Sequence, residues 1–319
     1  MCQLSLKRGD RCQPSNYRPV SLTSIACKVL EHIISSTIRA HLDNHNILNK
    51  FQHGFRKHHS CETQLLETLD DLSNGIDQKQ QIDCLILDFS KAFDVVAHRR
   101  LLYKLGWYGI RGQTLNWING WLTKRTQTVV VDGYSSSDAT VDSGVPQGTV
   151  LGPLLFILYI NDIVNNISST IRLFADDCLL YRLIDMERDA VALQNDLDTL
   201  TGWSYEWQMK FNPSKCSLLR LTTKRKGIIN GKYSMSRVEL QQVDHHPYLG
   251  VELTSKLDWG PHISNITNKA RRSLNFLQRN LYKCPENIKQ QAYTSLVRPI
   301  LEYSCTAWDP YYQKHVLAL

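Results

Sequence analysis

Residues 171–181 read IRLFADDCLLY, an acidic pair enclosed by two short apolar arms. The arms 171–174 and 178–181 have the length of short strands, so they predict a hairpin with Asp176 and Asp177 at its tip. An Asp-Asp pair alone is most often a solvated turn, because short acidic side chains bond readily to the main chain of a turn. The rest of the sequence therefore decides whether this hairpin carries chemistry.

A second apolar run, Cys84–Leu87, ends at Asp88 and predicts a strand buried on both faces. Three carboxylates at the ends of adjacent buried strands repel one another and are costly to desolvate. A bound cation usually offsets this cost. A site that has few carboxylate ligands and leaves room for water and phosphate is typical of Mg²⁺. Two such ions about 3.5–4 Å apart would stabilise both the attacking and the leaving oxygen of a displacement at phosphorus.

The composition is that of an ordinary globular protein. The chain has 319 residues, 42% of them hydrophobic and 21% charged, which excludes the disordered and fibrous classes. The excess of 37 Lys+Arg over 30 Asp+Glu gives a mild net charge of +7, which suits a polyanion but is common among soluble proteins. The nine cysteines include no Cys-x-x-Cys pair, which favours a reducing, intracellular setting. Met1–Ser24 lacks the apolar core of a secretion signal, and Val150–Ile160 is too short to span a bilayer, so no membrane role is expected.

Apolar spacing predicts both helices and strands. The helical patterns cover residues 25–42, 65–72, 90–105 with Ser90 as cap, 151–158 and 190–207, and the chain is predicted wholly helical after Trp259. The strand patterns cover residues 84–88, 129–131 before an Asp132-Gly133 turn, 171–174, 178–181, 218–221 and 248–253. Lys224-Arg225-Lys226 is predicted to be the tip of a hairpin between the last two strands. Together the patterns are those of an α+β fold, and the change to a wholly helical pattern predicts a boundary between 255 and 256.

The sequence blocks around the acids follow one another in a set order. They are Asn16–Leu22 (NYRPVSL), Gln52–Arg56 (QHGFR) with Ser60, Leu87–Asp94 (LDFSKAFD) with His98, Gly144–Pro153 (GVPQGTVLGP), Phe174–Asp177 (FADD), Asn212–Lys215 (NPSK) and Tyr248–Gly250 (YLG). Each block alone is a weak signal. The ordered set covers nearly the whole chain and resembles the reverse transcriptases of non-LTR retrotransposons.

The resemblance implies a right-hand polymerase, with fingers and an antiparallel-sheet palm in residues 1–255 and a partial helical thumb in 256–319. It also implies an RNA-directed DNA polymerase, a nucleotidyltransferase whose partners are an RNA template, a DNA primer and deoxynucleoside triphosphates. The thumb would hold the primer–template duplex through the phosphates, with Lys269, Arg271, Arg272 and Arg279 opposite its apolar face. Such contacts weaken steeply with salt, whereas a merely solvated basic face would show little salt dependence.

Individual roles also follow from the resemblance. Asp88 and Asp176 would bind two Mg²⁺ ions, for which Mn²⁺ would be a substitute, and the main-chain carbonyl of Phe89 would complete one coordination sphere. Asp177 would assist with charge and orientation. Lys215 would protonate the leaving pyrophosphate or neutralise its charge, although an exposed lysine after Asn-Pro has no necessary function.

Four further residues are assigned to nucleotide and template binding by the resemblance. Phe93 would crowd the sugar 2′ position and select deoxynucleotides. Without the resemblance, a Phe at this position would be interpreted as a core aromatic. Gln147 and Gly148 would let the main chain approach the nucleotide and template, where the alternative is an ordinary helix entry. Arg56 would contact the triphosphate or a template phosphate, where a bare charge run would be a solvated loop.

Other interpretations of the sequence stay open. The chain starts near the first fingers strand and stops soon after Trp308, so we expect a fragment of a longer element. A catalytically silent remnant that at most binds nucleic acid is therefore the main alternative. An RNA-dependent RNA polymerase is disfavoured by Phe93, because such an enzyme must admit a 2′-hydroxyl. Lys224–Lys226 is weak as a nuclear signal, so the expected location is intracellular without a choice between nucleus and cytoplasm.

Overall fold

The computed structural model describes residues 2–6, 10, 12–13, 17–123, 125–131 and 134–319. Asn16 of the first block and the predicted Asp132-Gly133 turn lie outside these ranges. The helices are α1 Ile25–Asn44, α2 Cys61–Asp77, α3 His98–Trp107, α4 Gly112–Leu122, α5 Leu151–Tyr159, α6 Glu187–Glu206, α7 Gly260–Asn280, α8 Glu286–Leu296, α9 Arg298–Glu302 and α10 Gln313–Val316. The strands are β1 Cys2–Leu6, β2 Tyr17–Ser21, β3 Gln81–Asp88, β4 Arg125–Gln127, β5 Val129–Val131, β6 Tyr134–Ser135, β7 Ala139–Val141, β8 Thr170–Phe174, β9 Asp177–Leu183, β10 Ser217–Thr222, β11 Ser234–Met235, β12 Val238–Glu239, β13 Gln241–Val243, β14 His245–Tyr248 and β15 Val251–Thr254.

The central sheet has the strand order β13-β10-β3-β9-β8 among the described residues. Its pairs are antiparallel except β10 with β13, which is parallel. Strand β3 lies in the middle and is buried along its length up to Asp88, which confirms the prediction of a strand covered on both faces. The antiparallel sheet with surrounding helices confirms the predicted α+β class.

Alternate side chains of β3 enter two different cores. Leu85 and Leu87 pack into a large cluster with the apolar faces of α5 and α6, whereas Ile82, Cys84 and Ile86 pack into a second cluster on the other face. The second cluster includes α2, the β14–β15 hairpin and the first turns of α7. This period-two division gives the sheet a core on each face.

The described residues form four smaller sheets, two of which come from the first half of the chain. Strands β2, β1, β5 and β6 form one, and the pairing of Val130 with Ser135 confirms the hairpin predicted after residue 129. Strands β4 and β7 form the other. The loop after Pro146 is attached to the first of these sheets, because the main-chain N–H of Ser21 donates to the Gln147 carbonyl at 2.8 Å.

The predicted continuous helix from Ser90 to Leu105 is wrong. Lys91 has a φ of 51°, a short 3₁₀ helix covers Ala92–Asp94, and α3 begins only at His98. The main chain of this segment pairs elsewhere, since Val145 N–H donates to the Phe93 carbonyl and Gly144 N–H to the Val96 carbonyl. These tertiary bonds replace the bonds that a continuous helix would make.

Three other details differ from the sequence predictions. Helix α1 is present and buries Ile38 and Leu42 of its predicted apolar stripe. The other three apolar residues of the stripe, Ile25, Val29 and Ile33, are exposed, and the polar residues Glu31 and Ser35 are buried in their place. The single strand predicted at 248–253 is a hairpin, because Leu249 and Gly250 both have positive φ and separate β14 from β15. Lys224–Lys226 is not a hairpin tip, because the strand that pairs with β10 after this link is β13, in parallel, whereas β14 and β15 form a sheet of their own.

A buried ion pair joins the middle of the central sheet. Asp83 on β3 is fully buried and accepts two hydrogen bonds from Arg220 on β10, Nε to Oδ1 at 2.9 Å and Nη2 to Oδ2 at 3.0 Å. The Tyr233 hydroxyl donates to Asp83 at 2.8 Å, and burial raises the pKa of Tyr233 far above its usual value. The link between β10 and β11 is thus hydrogen-bonded to the central sheet through Tyr233.

The C-terminal part is helical, as predicted after Trp259. Ile263 and Ile266 at the start of α7 enter the second core together with Trp308, while Ala270 and Leu277 pack against Val297 in a cluster of their own. The division of the chain at 255/256 stays a prediction. None of the helices in the described ranges is both long and apolar enough to cross a membrane.

Candidate active site

The three acids lie at one end of the central sheet. Asp88 is the last residue of β3 and faces Asp177, the first residue of β9. Phe174 also pairs with Asp177, so Ala175 and Asp176 form the turn between β8 and β9. Opposed residues of antiparallel strands lie about 4.5–5.5 Å apart at Cα. Like charges at that spacing are unfavourable, so the fold holds the acids in an arrangement that favours a cation.

Asp88 and Asp177 line a cleft of about 310 Å³ beside the β14–β15 hairpin. The two side chains follow the strand alternation that sends Ile86 and Leu179 to the second core, so they point to the same face of the sheet. The cleft is lined by Ile86, Leu87, Asp88, Asp177, Cys178, Lys215, His246, Pro247 and Tyr248. Two of the three acids, Asp88 and Asp177, thus line this cleft together with apolar side chains, whereas Asp176 is not among its lining residues.

Lys215 reaches into this cleft. Its Nζ lies 3.4 Å from Asp88 Oδ2, and its side chain is 64% exposed. Asp88 Oδ2 is shielded from solvent but accepts no hydrogen bond within normal geometry from the described residues. A carboxylate oxygen with spare acceptor capacity is what a divalent-ion ligand requires, so Asp88 fits that role.

The site does not form a closed metal cage from side chains. Within the described ranges, no group of three or more His, Cys, Asp or Glu converges closely enough to hold an ion. A Mg²⁺ site usually keeps several waters and uses substrate phosphates with only one or two carboxylates, so this donor set suits it better than it suits Zn²⁺.

The main-chain carbonyl of Phe89 points toward the side of β3 on which β9 lies. Phe89 bridges Phe211, and the flanking bonds run from Ser90 N–H to the Lys210 carbonyl and from Asn212 N–H to the Asp88 carbonyl, 2.8 Å each. This is a non-hydrogen-bonded pair, in which the central residue's own N–H and C=O point away from its partner. Because β9 is the neighbour on the other side, the Phe89 carbonyl faces the side from which the turn with Asp176 approaches.

The two thiols next to the acids are neutral. Cys216 Sγ lies 3.4 Å from the main-chain nitrogen of Asp88, and burial raises the pKa of Cys216 to about 11. Burial raises the pKa of Cys178 further still. Burial also lowers the pKa of His246 below its usual value. These groups therefore add no charge at neutral pH, and the oxygens remain the hard ligands of the cleft.

Phe93 and Gln147 line a second cavity of about 340 Å³, together with Lys91, Asp94 and Arg125. The Phe93 ring stacks on Phe156, with centroids 4.4 Å apart, and meets the edge of Phe55 at 6.1 Å. Phe93 is thus both a packed aromatic and part of a cavity wall.

The Pro-Gln-Gly loop is held by contacts on both sides. Gln147 Nε2 donates to Asp94 Oδ1 at 3.1 Å. Gly148 has a φ of 85°, and a Cβ there would lie 2.8 Å from Val20, so the loop's close approach to β2 requires glycine. Glu31 on α1 is fully buried, and its Oε2 accepts the N–H groups of Val150 and Leu151 at the start of α5. Nothing in the sequence indicated this role for Glu31, because an acid in a helix interior is normally expected to face solvent.

Arg56 is half-buried and engaged with its own loop. Its Nη1 donates to the main-chain carbonyl of Asn49 at 2.6 Å and approaches that of Gln52 at 3.4 Å. Burial lowers the pKa of Arg56, although a guanidinium remains charged at neutral pH. The structure thus gives Arg56 a contact that sequence reasoning missed, while its predicted phosphate contact stays a prediction.

The basic residues predicted for the thumb share one property, exposure to solvent. They are Lys269, Arg271, Arg272 and Arg279 on α7. Helix α7 contains no Asp or Glu, so its exposed charged side chains are all basic. These side chains are available to a polyanion.

Comparison with known proteins gives a consistent result. Residues 6–253 match the family described as reverse transcriptase (RNA-dependent DNA polymerase). The chain is 30% identical over 318 residues to the RNA-directed DNA polymerase from mobile element jockey of Drosophila melanogaster, covering 94% of this chain and 34% of that protein. It is 28% identical over 313 residues to the probable RNA-directed DNA polymerase from transposon BS of the same organism, covering 92% and 34%. The chain thus spans about a third of the length of these relatives.

Solved structures with a similar fold include a telomerase. The telomerase from Candida tropicalis in complex with a TWJ fragment of telomeric RNA aligns with a TM-score of 0.54 and 9% identity, over 96% of this chain and 53% of that chain. The apo telomerase from the same organism gives a TM-score of 0.54 and 11% identity, over 92% and 56%. At such low identity the likeness concerns the fold alone.

Proposed function

Because this chain belongs to the reverse transcriptase family, we propose that it is an RNA-directed DNA polymerase of a non-LTR retrotransposon that extends a DNA primer on an RNA template. The observation that carries the proposal is the acid arrangement, in which Asp88 at the end of β3 faces Asp177 next to the turn residue Asp176. The substrates are deoxynucleoside triphosphates. The scattered cysteines, which include no Cys-x-x-Cys pair, favour an intracellular setting.

Asp88 and Asp176, with the main-chain carbonyl of Phe89, are the ligands that we assign to two Mg²⁺ ions. Bound ions of this kind activate the primer hydroxyl and offset charge on the leaving pyrophosphate. Asp177 adds negative charge on the same face of the sheet and keeps cations in the cleft. Lys215, whose side chain is long and mostly exposed, can turn from Asp88 toward the leaving group and donate a proton or its charge.

Phe93, Gln147 and Gly148 are the residues that we assign to the nucleotide and the template. The cavity beside Phe93 and Gln147 is large enough for a sugar and part of a base, and the Phe93 ring is fixed by Phe156 behind it. A fixed ring excludes a 2′-hydroxyl more effectively than a mobile one. Arg56 borders the loop that packs on the acid hairpin, so we assign its remaining donors to a phosphate.

The proposal is tested by primer extension. The purified chain, an RNA template annealed to a DNA primer, Mg²⁺ and deoxynucleotides should give elongated primer, and omission of the metal should abolish the product. Folded protein that binds the template–primer but never extends it would instead support the silent remnant. The assay therefore separates the two functions provided that binding and folding are measured on the same sample.

Replacement of Phe93 with valine is expected to raise the use of ribonucleotides relative to deoxynucleotides. Pocket shape discriminates small groups by about 1–3 kcal/mol, so the ratio of the two kcat/KM values should move about 10- to 200-fold. The ratio is the informative quantity, because the loss of stacking on Phe156 lowers both activities together. An unchanged ratio in a folded variant would remove the selection role from Phe93.

Neutralising the basic face of α7 is expected to weaken duplex binding at low salt. The change is glutamine at Lys269, Arg271, Arg272 and Arg279, and the removal of each contact with a phosphate should reduce the slope of log K against log salt by about 0.7–0.9. The matched control is glutamine at Arg225 and Lys226, which are also exposed but lie in the link before β11. Equal slopes for the wild type and the α7 variant, measured by fluorescence anisotropy, would contradict the thumb assignment.

A further inference from the structure

The side chain of Gln52 is bonded to the main chain of the acid hairpin. Gln52 is 2% exposed. Its Oε1 accepts the N–H of Ala175 at 2.9 Å and that of Gly54 at 2.7 Å, while its Nε2 donates to the Ala175 carbonyl at 3.2 Å. One primary amide thus pairs with both main-chain groups of the residue that precedes Asp176.

Ala175 needs such a partner. Its φ is 53°, a left-handed conformation that costs a non-glycine residue about 1–2 kcal/mol. Ala175 is also 8% exposed, so its N–H and C=O have little access to water. The Gln52 amide satisfies both groups in this conformation, and a different turn conformation would lose those bonds.

The loop that carries Gln52 is itself fixed to β8. Leu173 N–H donates to the Phe51 carbonyl and His53 N–H to the Leu173 carbonyl, both at 2.9 Å. A Cβ on Gly54 would lie 2.2 Å from the Ala175 nitrogen, so the loop and the turn are in direct main-chain contact. The loop on both sides of Gln52 is therefore hydrogen-bonded to the strand that leads into the turn.

We infer that Gln52 is a positioning residue, whose amide fixes the Ala175 main chain so that the Asp176 carboxylate stands ready for a divalent cation. This inference rests on the proposed function, in which Asp176 is a metal ligand. A group that orients a metal ligand typically contributes 10- to 100-fold to metal affinity, because an unfixed ligand must be ordered on binding. Gln52 contacts no reacting atom in this arrangement and acts only through the turn.

The chain offers a closely matched control in Gln81. Gln81 is fully buried, its Oε1 accepts the Ile229 N–H at 2.9 Å and its Nε2 donates to the Ile229 carbonyl at 2.8 Å. The chemistry is the same as at Gln52, but Gln81 begins β3 and Asp88 ends it. Its Nε2 also bonds Asp83, so Gln81→Met should cost at least as much stability as Gln52→Met.

The experiment compares wild type, Gln52→Met and Gln81→Met in the full chain. Without metal or nucleic acid, hydrogen exchange of the 173–178 segment should be faster in Gln52→Met and unchanged in Gln81→Met. Mn²⁺ binding, followed by the EPR signal of the free ion, should weaken about 10- to 100-fold in Gln52→Met alone. In primer extension the half-saturating Mg²⁺ concentration should rise by a similar factor, with the KM for template–primer unchanged.

The outcomes separate this inference from the proposed function. Equal Mn²⁺ affinity in wild type and Gln52→Met, or an equal loss in Gln81→Met, would overturn the positioning role while leaving the polymerase in place. A wild type that neither binds Mn²⁺ nor extends a primer would remove the proposed function, and with it the metal part of the inference. If Gln52→Met does not fold, Gln52→Glu keeps the two bonds that Oε1 accepts. In that variant the Ala175 N–H should remain protected from exchange, and its loss of protection would count against the inference.

Discussion

Replacing Asp176 with alanine is expected to lower primer extension at least a thousandfold and to leave the protein folded. A metal ion contributes several kcal/mol of transition-state stabilisation, and each loss of about 1.4 kcal/mol is a factor of ten in rate. Asp176 is in the turn between β8 and β9, outside both cores, so its removal exposes no apolar surface. Removing one of three neighbouring acids also relieves repulsion, so the unfolding midpoint should stay equal or rise.

The matched control for Asp176 is Asp198→Ala. Asp198 is an exposed acid on α6 that accepts a hydrogen bond from Gln194 on the same helix. Its loss should leave extension within about twofold, since surface substitutions of this kind usually change stability by less than about 0.5 kcal/mol. Comparable extension by Asp176→Ala and Asp198→Ala would contradict the metal assignment. Thermal melting of both variants shows whether a loss of product reflects chemistry or unfolding.

Replacing Arg220 with methionine is expected to cost about 3–5 kcal/mol of unfolding free energy, because Asp83 would be left as a buried, unpaired charge. Asp83 is fully buried, and Arg220 supplies two of its hydrogen bonds. The measurement is a urea or guanidinium unfolding midpoint. The double variant Asp83→Leu with Arg220→Met should recover most of that loss, since two apolar side chains of similar volume often replace a buried pair at little cost.

A second arginine makes the comparison informative. Arg298 pairs with Glu302 at 2.7 Å on α9, but both side chains are more than half exposed. Arg298→Met should therefore leave the unfolding midpoint nearly unchanged. Equal destabilisation by the Arg220 and Arg298 variants would mean that burial does not set the strength of the central pair.

Sequence reasoning succeeded where local pattern and local structure agree. The apolar run that ends at Asp88 and the arms around Asp176 are the strands β3, β8 and β9, and the ordered blocks identified the family, which the comparisons confirm. The roles given to individual residues, such as Lys215 and Arg56, stay predictions. The ion pair between Lys215 and Asp88 supports the assignment of Lys215 without testing it.

The failures share a physical cause, the dominance of tertiary contacts over local pattern. The helix predicted through Lys91 is broken because residues 93–96 pair with the segment at Gly144. The apolar stripe of α1 is largely exposed, since the helix turns Glu31 inward to bond the start of α5. Asp83 and Arg220 are 137 positions apart, so no local spacing could have paired them. The same is true of Gln52 and Ala175, which are 123 positions apart.

Strand β3 carries two aspartates whose charges are treated in opposite ways. Asp83 is neutralised inside the protein by Arg220, whereas Asp88 at the strand end lies 3.4 Å from the exposed Lys215 and is the carboxylate that we assign to a divalent cation. A substitution at Asp83 is therefore expected to destabilise the fold, whereas one at Asp88 is expected to affect the proposed catalysis and leave the fold intact. A gene copy that mutates at Asp88 or Asp176 would still yield a folded protein with its basic α7 intact.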